Sequence, residues 1–333
     1  MARLWALRHA PTHFAMPDAT TSTGSPGAGE PPLSVVIVSY NTVALLARCV
    51  RSVLTDAPPG TEIYVVDNAS RDGSADMVRR AFPAVRLIAN EHNSGFAAAA
   101  NQALRSTGAR YITLLNSDAE IRRGSLPRLV AFLDDRPAVG VAGARLIYGD
   151  GQFQHSAFRF PTLLMALVEF FPLNHRLVDS RVNGRFPAAA YSRVFAIDHP
   201  LGACMTVRRD ALQEVGLLDE SFFLYCEEVD WSWRFKQAGW QVVHCPDVLV
   251  IHHEAQSTRQ RRGEMLVQLY RSRYRLYSKH RAGWRQQGLR WLVRLGAVTK
   301  VATSLLPTIG ASTTEQRQQS RAEAAAYREV LRL

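Results

Sequence analysis

The chain has few cysteines and no long uninterrupted apolar segment, although 47% of its 333 residues are hydrophobic. Its four cysteines lie far apart and form no Cys-x-x-Cys pair, which argues against a zinc ribbon or a disulfide framework and favours reduced thiols. No apolar run reaches the roughly 20 residues of a membrane-spanning helix, and the N-terminus lacks a signal-peptide core. These absences predict a cytoplasmic protein that is either soluble or peripheral on the inner face of the cell membrane.

Acidic residues are scarce towards the C-terminus. The whole sequence carries 40 Lys and Arg against 29 Asp and Glu, and residues 256–300 hold twelve of the basic residues but one acid, Glu264. Apolar residues recur every three to four positions from Leu266 to Tyr277 and again from Trp291 to Leu306, which predicts basic amphipathic helices. Such helices dock on an anionic membrane surface, present a solvated charged face, or pack on the rest of the protein.

The usual signatures of nucleic-acid binding are also absent. A chain this basic can bind nucleic-acid phosphates through its C-terminal arginines. The sequence nevertheless shows no zinc-finger spacing, no RNP-like segment and no helix-turn-helix pattern. Nucleic-acid binding is therefore retained as an alternative function, while no nucleic acid is expected among the partners.

The N-terminal region has a composition of its own. Residues 15–32 are small, polar and rich in Gly, Pro, Ser and Thr, so they cannot bury enough apolar surface to offset their ordering entropy. We expect residues 1–32 to form a flexible tail. The glycines of GSPGAG follow no strand and precede no helix, so they lack the context of a dinucleotide-binding loop.

From residue 33 onward, short segments rich in Val and Ile alternate with segments of helical spacing. Predicted strands are Leu33–Ser39, Glu62–Val66, Val85–Ala89 and Tyr111–Leu115, with helices at Val43–Leu54, Ser74–Phe82 and Phe96–Ser106. Further elements are expected at Leu163–Phe171, Asp210–Val215 and Glu227–Ala238 as helices, and at Gly202–Val207, Val242–Cys245 and Val248–Ile251 as strands. The alternation predicts an α/β fold with a mostly parallel sheet, helices on both faces, and a ligand at the carboxyl ends of the strands.

Two of these strands are followed by an acid. Asp118, in Asn116-Ser117-Asp118, is a candidate ligand of Mg²⁺ or Mn²⁺, because these ions need only one or two protein carboxylates when substrate phosphates complete the shell. Asp67 can accept a hydrogen bond from a nucleobase imide N–H. In the alternative, Asp118 caps a turn and Asp67 forms an Asx turn.

Three acids begin a later predicted helix. Glu227, Glu228 and Asp230 complement the helix dipole, and Asp230 has the spacing to pair with Arg234. Adjacent helical positions differ by about 100°, so we expect only one of the two glutamates to face a pocket, where it can deprotonate an incoming hydroxyl. The alternative is that these acids serve the dipole alone.

Two adjacent histidines follow the last predicted strand. Neighbouring residues of a strand point to opposite faces, so at most one of His252 and His253 can complete a metal site. Histidines in such positions are more often structural than ligating.

Taken in order, these segments resemble a family 2 glycosyltransferase of the GT-A fold, in particular the bacterial rhamnosyltransferase-like group. The matching segments are VVIVSYN (35–41), VVDNASRDGS (65–74), NSGFAAAANQAL (93–104), LLNSDAE (114–120), GACMTVRRDALQEVGLLDESFF (202–223), YCEEVDWSWR (225–234) and IHHEAQST (251–258). The resemblance implies inverting transfer of a sugar, such as rhamnose, from a dTDP- or UDP-sugar to a glycan or polyprenyl-linked acceptor in cell envelope polysaccharide synthesis. It also implies a divalent cation, Mg²⁺ or Mn²⁺.

The resemblance further assigns roles by position. Asp67 stands at the contact to the nucleobase, Asp118 at the last acid of the DxD motif, here Asn-Ser-Asp, and His252 at a metal or diphosphate contact. Glu228 stands at the catalytic base of the family's Glu-Asp pair, and Glu in place of Asp leaves Glu227 as an alternative. Other implied nucleotide-sugar contacts are Ser39, Tyr40, Asn41, Asn68, Asn93, Gly95, Phe96, Asn101, Asn116 and Ser117, and implied acceptor contacts are Gly202, Ala203 and Trp231.

The same segments suggest domain boundaries. We expect a catalytic domain over residues 33–258, with a nucleotide-binding half (33–120) and an acceptor half (121–258), followed by a basic helical extension over 259–333. The irregular stretch 148–193 is expected to shape the acceptor pocket. Two further alternatives are a nucleotidyltransferase, whose Gly-rich phosphate loop is missing after the first strand, and an inactive sugar-nucleotide-binding module.

Overall fold

The first half of the chain alternates strand and helix as predicted. The computed structural model describes residues 30–171, 175–178, 180–253, 262–305 and 314–333. The elements of the first half are β1 (Leu33–Ser39), α1 (Val43–Asp56), β2 (Glu62–Asp67), α2 (Ser74–Ala81), β3 (Arg86–Ala89), α3 (Phe96–Ser106), β4 (Tyr111–Asn116), β5 (Ala119–Ile121), α4 (Ser125–Asp134) and β6 (Val139–Ile147). Every element predicted up to residue 115 is present, whereas β5, α4 and β6 were not predicted.

The second half is less regular. Its elements are β7 (Phe153–Gln154), β8 (Ala157–Phe158), α5 (Leu163–Phe170), α6 (His175–Val178), β9 (Phe195–Ala196), β10 (His199–Pro200), β11 (Cys204–Arg208), α7 (Arg209–Val215), α8 (Glu227–Gln237), β12 (Gln241–His252), α9 (Arg262–His280), α10 (Gly283–Leu305) and α11 (Thr314–Leu331). The two strands predicted between Val242 and Ile251 are one strand, β12, with an irregularity between Cys245 and Leu249. Pro246 has no N–H to donate, so the pairing is interrupted there while the strand continues.

The order of the strands brings polar strand ends together. The sheet reads β3-β2-β1-β4-β11-β6-β12-β5. Strands β1 to β4 are parallel, β6 and β12 are parallel to each other, and β11 runs antiparallel between β4 and β6. The register pairs Ser39 with Asp67 and Val38 with Asn116, so β1, β2 and β4 end side by side. The predicted α/β fold with a mostly parallel sheet is confirmed.

Helices cover both faces of this sheet, also as predicted. On one face, α1, α2 and α4 bury apolar side chains that include Leu46, Val78 and Leu129. On the other face, α3, α7 and α8 do the same with side chains that include Leu212 and Trp231. Each large apolar side chain buried in this way contributes about 1.5–3 kcal/mol to folding. The burial fixes the loops at the carboxyl edge of the sheet.

Helix α9 is joined to α8 by a buried carboxylate. Asp230 is fully buried and accepts hydrogen bonds from Arg234 Nε at 2.9 Å and from His280 Nε2 at 2.7 Å, and Lys279 Nζ lies 2.7 Å from its Oδ1. The predicted Asp230–Arg234 pair is therefore present. Ser272 on α9 also donates to the carbonyl oxygen of Leu224 at 2.7 Å. Of the alternatives for the basic C-terminal helices, packing on the rest of the protein is confirmed for α9.

The C-terminal helices build an apolar cluster of their own. Side chains of α5, α9, α10 and α11 pack together, with Tyr270, Val293 and Val330 fully buried. Residues 31–333 form one compact unit, and the division after residue 258 remains a sequence-based proposal. None of the helices in the described ranges combines the length and the apolarity needed to cross a membrane.

Candidate functional site

A cavity of about 410 Å³ opens at the carboxyl ends of β1, β2 and β4. Loops after these strands form one wall, and the N-terminal end of α8, the end of β12 and the start of α9 complete it. The lining residues are Val38, Tyr40, Asn68, Asn93, Gly95, Phe96, Asn116, Ser117, Asp118, Leu201, Gly202, Ala203, Phe223, Leu224, Tyr225, Glu227, Glu228, His252 and Met265. Thirteen of the eighteen residues predicted from the sequence thus surround one cavity.

Asp67 holds a turn with one carboxylate oxygen and leaves the other without a partner. Its Oδ2 accepts from the backbone N–H of Ser70 at 3.0 Å. Its Oδ1 is buried and has no hydrogen-bond partner among the described residues. A buried acceptor without a donor costs free energy that a ligand N–H can recover. The turn and the contact to a nucleobase, posed as alternatives, are therefore compatible in one side chain.

Asn68 connects the two loops that follow β2 and β3. Its Nδ2 donates to Asn93 Oδ1 at 2.8 Å and to the carbonyl oxygen of Gly95 at 3.1 Å, and its Oδ1 accepts from the backbone N–H of Ser94 at 3.1 Å. These bonds occupy the amide with protein partners. Asn68 therefore positions the loop over residues 93–96 on the cavity wall.

Gly95→Ala should destabilise the protein more than Gly73→Ala. Both glycines have φ of +85°, which disfavours any side chain. A Cβ on Gly95 would overlap the carbonyl oxygen of Phe223, whereas nothing lies within 4 Å of one on Gly73. In urea denaturation we expect Gly73→Ala to lose about 1 kcal/mol of unfolding free energy and Gly95→Ala at least about twice that. Equal losses would contradict the close packing of this loop on Phe223.

Asp118 and His252 lie together although 134 positions separate them in the chain. Asp118 Oδ1 and His252 Nε2 are 3.4 Å apart, and both side chains are buried. The other ring nitrogen of His252, Nδ1, lies 3.2 Å from Gln154 Oε1, which orients the ring. The neighbouring His253 instead places its Nε2 2.7 Å from Glu120 Oε1. Of the two histidines, His252 is the one on the cavity wall.

This pair suits a divalent cation that is shared with a diphosphate. A carboxylate oxygen and an imidazole nitrogen are ordinary ligands of Mn²⁺, and Mg²⁺ also accepts the carboxylate. Within the part of the chain that the structure describes, no three His, Cys, Asp or Glu side chains group closely enough to hold a metal by themselves. The residues present therefore fit a cation whose remaining ligands come from substrate phosphate and water.

Glu227 and Glu228 meet the cavity at the N-terminal end of α8. Burial raises the pKa of Glu228 to about 7. Burial, together with the negative charge of Glu228, raises the pKa of Glu227 well above its usual range. Glu227 is only 6% exposed, and its Oε2 has no hydrogen-bond partner within the described residues. A carboxylate whose pKa lies near 7 is well suited to accept a proton at neutral pH.

Both glutamates line the cavity, so the expectation that only one of them faces it is wrong. The expectation assumed that the cavity would lie beside α8, where adjacent side chains point about 100° apart. Instead, α8 presents its N-terminal end, because Tyr225 and Cys226 adopt left-handed backbone conformations with φ of +68° and +66° immediately before it. Side chains of a first turn lean towards the helix N-terminus, so adjacent residues enter the same space.

Two residues predicted to contact substrates are buried in the protein interior. Trp231 is fully buried and donates its indole N–H to the carbonyl oxygen of Gly216 at 2.9 Å. Asn101 is 1% exposed and donates to the carbonyl oxygen of Leu218 and to Glu220 Oε1, both at 2.9 Å. Both side chains are committed to protein partners and neither lines the cavity, so the structure gives no support to the predicted contacts of Trp231 with an acceptor and of Asn101 with a nucleotide sugar.

Ser39 and Asn41 make hydrogen bonds within the loops that follow β1 and β2. Ser39 Oγ is 3.1 Å from Thr42 Oγ1, which donates to Ser117 Oγ at 2.9 Å. Asn41 Oδ1 accepts from the backbone N–H of Arg71 at 2.8 Å. Like Asp67, neither residue lines the cavity, so Ser39 and Asn41 support the site through the neighbouring loops.

Part of the cavity has an apolar rim that was not predicted from the sequence. Phe223, Leu224 and Tyr225 precede α8, and Met265 comes from α9. The apolar and aromatic run Phe222 to Tyr225, just before the three acids, could have indicated Phe223, Leu224 and Tyr225. Met265 had no such signal, because its place depends on how α9 packs against α8.

Comparison with known proteins gives one family and one fold. Residues 34–216 match the family model described as Glycosyl transferase family 2. The chain is similar to the N-acetylglucosaminyl-diphospho-decaprenol L-rhamnosyltransferase of Mycobacterium tuberculosis (strain ATCC 25618 / H37Rv), with 28% identity over 278 residues that cover 79% of this chain and 89% of that protein.

Solved structures show the same fold at low identity. The mannosyltransferase PcManGT from Pyrobaculum calidifontis, in complex with GDP-Man and Mn²⁺, is similar with a TM-score of 0.52 and 18% identity, covering 91% of this chain and 86% of that one. GalNAc-T7 with UDP, GalNAc and Mn²⁺ is similar with a TM-score of 0.53 and 17% identity, and the match covers 75% of this chain and 48% of that one. The central sheet and its helices are those of GT-A glycosyltransferases.

Proposed function

Because the chain belongs to glycosyl transferase family 2, we propose that its cavity binds a nucleoside-diphosphate sugar and transfers the sugar, with inversion, to a hydroxyl of a glycan or polyprenyl-linked acceptor. The proposed donor is a dTDP- or UDP-sugar. Similarity to a mycobacterial rhamnosyltransferase, whose name records a decaprenol-linked acceptor, supports rhamnose as the sugar and cell envelope polysaccharide synthesis as the process.

One observation carries this proposal, namely that two acidic centres of different character face the same cavity. Asp118 with His252 lies at the sheet edge and suits a cation and a diphosphate. Glu227 and Glu228 lie at the end of α8 and suit proton transfer. The two centres suit an inverting transfer, because the leaving group and the base act on opposite faces of the sugar.

Glu228 is the proposed base. It takes the proton of the acceptor hydroxyl while that oxygen bonds to the anomeric carbon and the bond from this carbon to the diphosphate oxygen breaks. The electron pair of the broken bond leaves with the nucleoside diphosphate, so no covalent enzyme intermediate forms. A divalent cation bound by Asp118, His252 and the diphosphate would stabilise the charge of the leaving group. Glu227 is the alternative base, and burial together with the negative charge of Glu228 raises its pKa well above its usual range.

The other residues at and beside the cavity divide between donor and acceptor. Asp67 Oδ1 is proposed to accept from the imide N–H that uracil and thymine share, which fits either a UDP- or a dTDP-sugar. Gly202 lies against Glu228, since a Cβ added to Gly202 would be 3.6 Å from Glu228 Cγ. Gly202 and Ala203 are therefore proposed to border the acceptor hydroxyl. The rim of Phe223, Tyr225 and Met265 offers an apolar surface to the acceptor.

Donor binding should raise the melting temperature, and Asp118→Asn should remove the metal-dependent part of that rise. We would test dTDP-rhamnose, UDP-glucose, UDP-galactose and GDP-mannose, each with and without Mn²⁺ or Mg²⁺. A ligand at 100 times its Kd stabilises the native state by about 2.7 kcal/mol, which is readily measured. One donor should give a metal-dependent shift.

The matched control is Glu120→Gln, which changes a carboxylate two residues further on that lies off the cavity and pairs with Arg48 and His253. It should keep the wild-type shift. If Asp118→Asn kept the metal-dependent shift, Asp118 would not be a ligand of the cation. The absence of a shift with every donor would contradict donor binding at this cavity.

A further inference from the structure

Helix α10 exposes large apolar side chains along one face. Trp284, Trp291, Leu295 and Val298 are 66%, 68%, 57% and 53% exposed. Their spacings of seven, four and three residues place them on the same side of the helix, in a stripe roughly 20 Å long. Exposed apolar residues scattered singly need no explanation, but a continuous stripe with two tryptophans marks an interaction surface. We call these four residues the α10 stripe.

The stripe belongs to a firmly packed helix. The opposite face of α10 buries Leu289, Val293 and Ala297, each no more than 2% exposed. Helix α5 packs closely at Gly288 and Gly296, where an added Cβ would meet the side chains of Leu163 and Phe170. The α10 stripe therefore faces solvent because the other side of the helix forms the core.

Positive charge adjoins the stripe. Residues 283–305 contain Arg285, Arg290, Arg294 and Lys300 and no Asp or Glu. The Arg285 guanidinium lies over the ring of Trp284 at 4.9 Å, and that of Arg294 lies over Trp291 at 6.0 Å. Arg290 and Arg294 are exposed. Helix α5 adds the exposed Leu164 and Leu167 beside this helix.

We propose that the α10 stripe docks on the surface of an anionic lipid bilayer. Tryptophan rings favour the headgroup depth of a membrane, where an apolar body and a polar N–H are both satisfied. The flanking guanidinium groups bind lipid phosphates while the stripe enters the acyl boundary, with α10 lying in the plane of the interface. The charge of the face selects an anionic surface over a neutral one. This surface is separate from the sugar-transfer site.

Docking at α10 would also fix the position of the cavity relative to the bilayer. Helix α9 shares an apolar cluster with α10 and supplies Met265 to the cavity rim. A bilayer bound at the α10 stripe therefore holds the rim in a fixed relation to the lipid surface, which suits an acceptor anchored in that surface.

The test uses the full chain and flotation with phosphatidylcholine vesicles, with and without phosphatidylglycerol. We expect binding only to the anionic vesicles, weakened by salt. Removing two surface charges in R290Q/R294Q should lower the partition coefficient about 30-fold, and W284S/W291S should lower it at least about tenfold. Leu54→Ser is the matched control, since Leu54 is a 42% exposed residue of α1, and it should bind like the wild type.

Three results would overturn the docking proposal. The first is no flotation of the wild type with anionic vesicles, and the second is equal flotation of all variants. The third is a wild-type dimer in light scattering that W284S/W291S abolishes, because this would assign the α10 stripe to a second copy of the chain. Donor-induced thermal shifts should be unchanged in W284S/W291S, so failure of docking is separable from failure of the proposed transfer reaction.

Discussion

Glu228→Gln is expected to lower kcat for sugar transfer by about 10²–10⁴-fold while donor binding stays at the wild-type level. Glutamine keeps the size of the side chain but cannot accept the proton of the acceptor hydroxyl. Steady-state kinetics with the donor identified by thermal shift would measure kcat, and the same shift would show that the donor still binds. An equal fall in donor affinity would instead assign Glu228 to the donor side.

The pH dependence of kcat provides an independent check on this base. Burial raises the pKa of Glu228 to about 7, and the active form is the deprotonated one. The wild-type kcat should therefore rise with pH up to about 7 and level off above it, with activity lost as the pH falls through that value. In Glu228→Gln this rise should disappear.

The same raised pKa affects stability with a defined sign. Between the ordinary value of 4.5 and about 7, the folded protein holds a proton on Glu228 that the unfolded chain has released. The unfolded state binds fewer protons in this window, so stability falls as the pH rises through it. Glu228→Gln should flatten this part of the stability profile.

Two variants serve as controls for the assignment of the base. Glu214→Gln changes an exposed glutamate of α7 that bonds to Trp240 Nε1, and it should leave kcat unchanged. Glu227→Gln changes the other member of the pair. A large loss in Glu227→Gln combined with near-normal turnover in Glu228→Gln would make Glu227 the base.

The residues of the proposed donor side could be brought together from the sequence because their positions depend on topology. In an alternating α/β chain, the loops after parallel neighbouring strands share one edge of the sheet. Locating Asp67 and Asp118 at strand ends was therefore enough to place them near each other, and the register of β1 with β2 and β4 shows why. His252 joined them because β12 ends beside the loop that carries Asp118.

The proposed acceptor side could not be located in this way because it depends on side-chain direction and on packing between distant segments. Glu228 and Trp231 are three residues apart on α8, yet one lines the cavity and the other is fully buried. The left-handed residues before α8, which aim its end at the cavity, have no sequence signature. Residues 1–29 of the predicted tail (1–32) and residues 254–258 of the IHHEAQST segment lie outside the described residues.

Asp230→Ala is expected to cost about 3–5 kcal/mol of unfolding free energy, the largest loss of stability among the changes considered. Asp230 is fully buried and is in contact with Arg234, Lys279 and His280, so its removal leaves three hydrogen-bond donors, two of them partly buried and one buried, without their shared carboxylate acceptor. At about 2–4 °C per kcal/mol, the melting temperature should fall by roughly 10 °C. Thermal and urea denaturation would measure the effect.

The matched control is Asp76→Ala, which removes a 64% exposed carboxylate paired with Arg79 three residues later on α2. A surface pair of this kind is worth less than about 1 kcal/mol, because water screens it and both side chains lose freedom in forming it. A melting temperature for Asp230→Ala as close to wild type as that of Asp76→Ala would show that α9 is held to α8 by apolar packing alone. Because Glu227 and Glu228 begin the helix that Asp230 anchors, the expected loss of stability should also be accompanied by a lower kcat in molecules that remain folded.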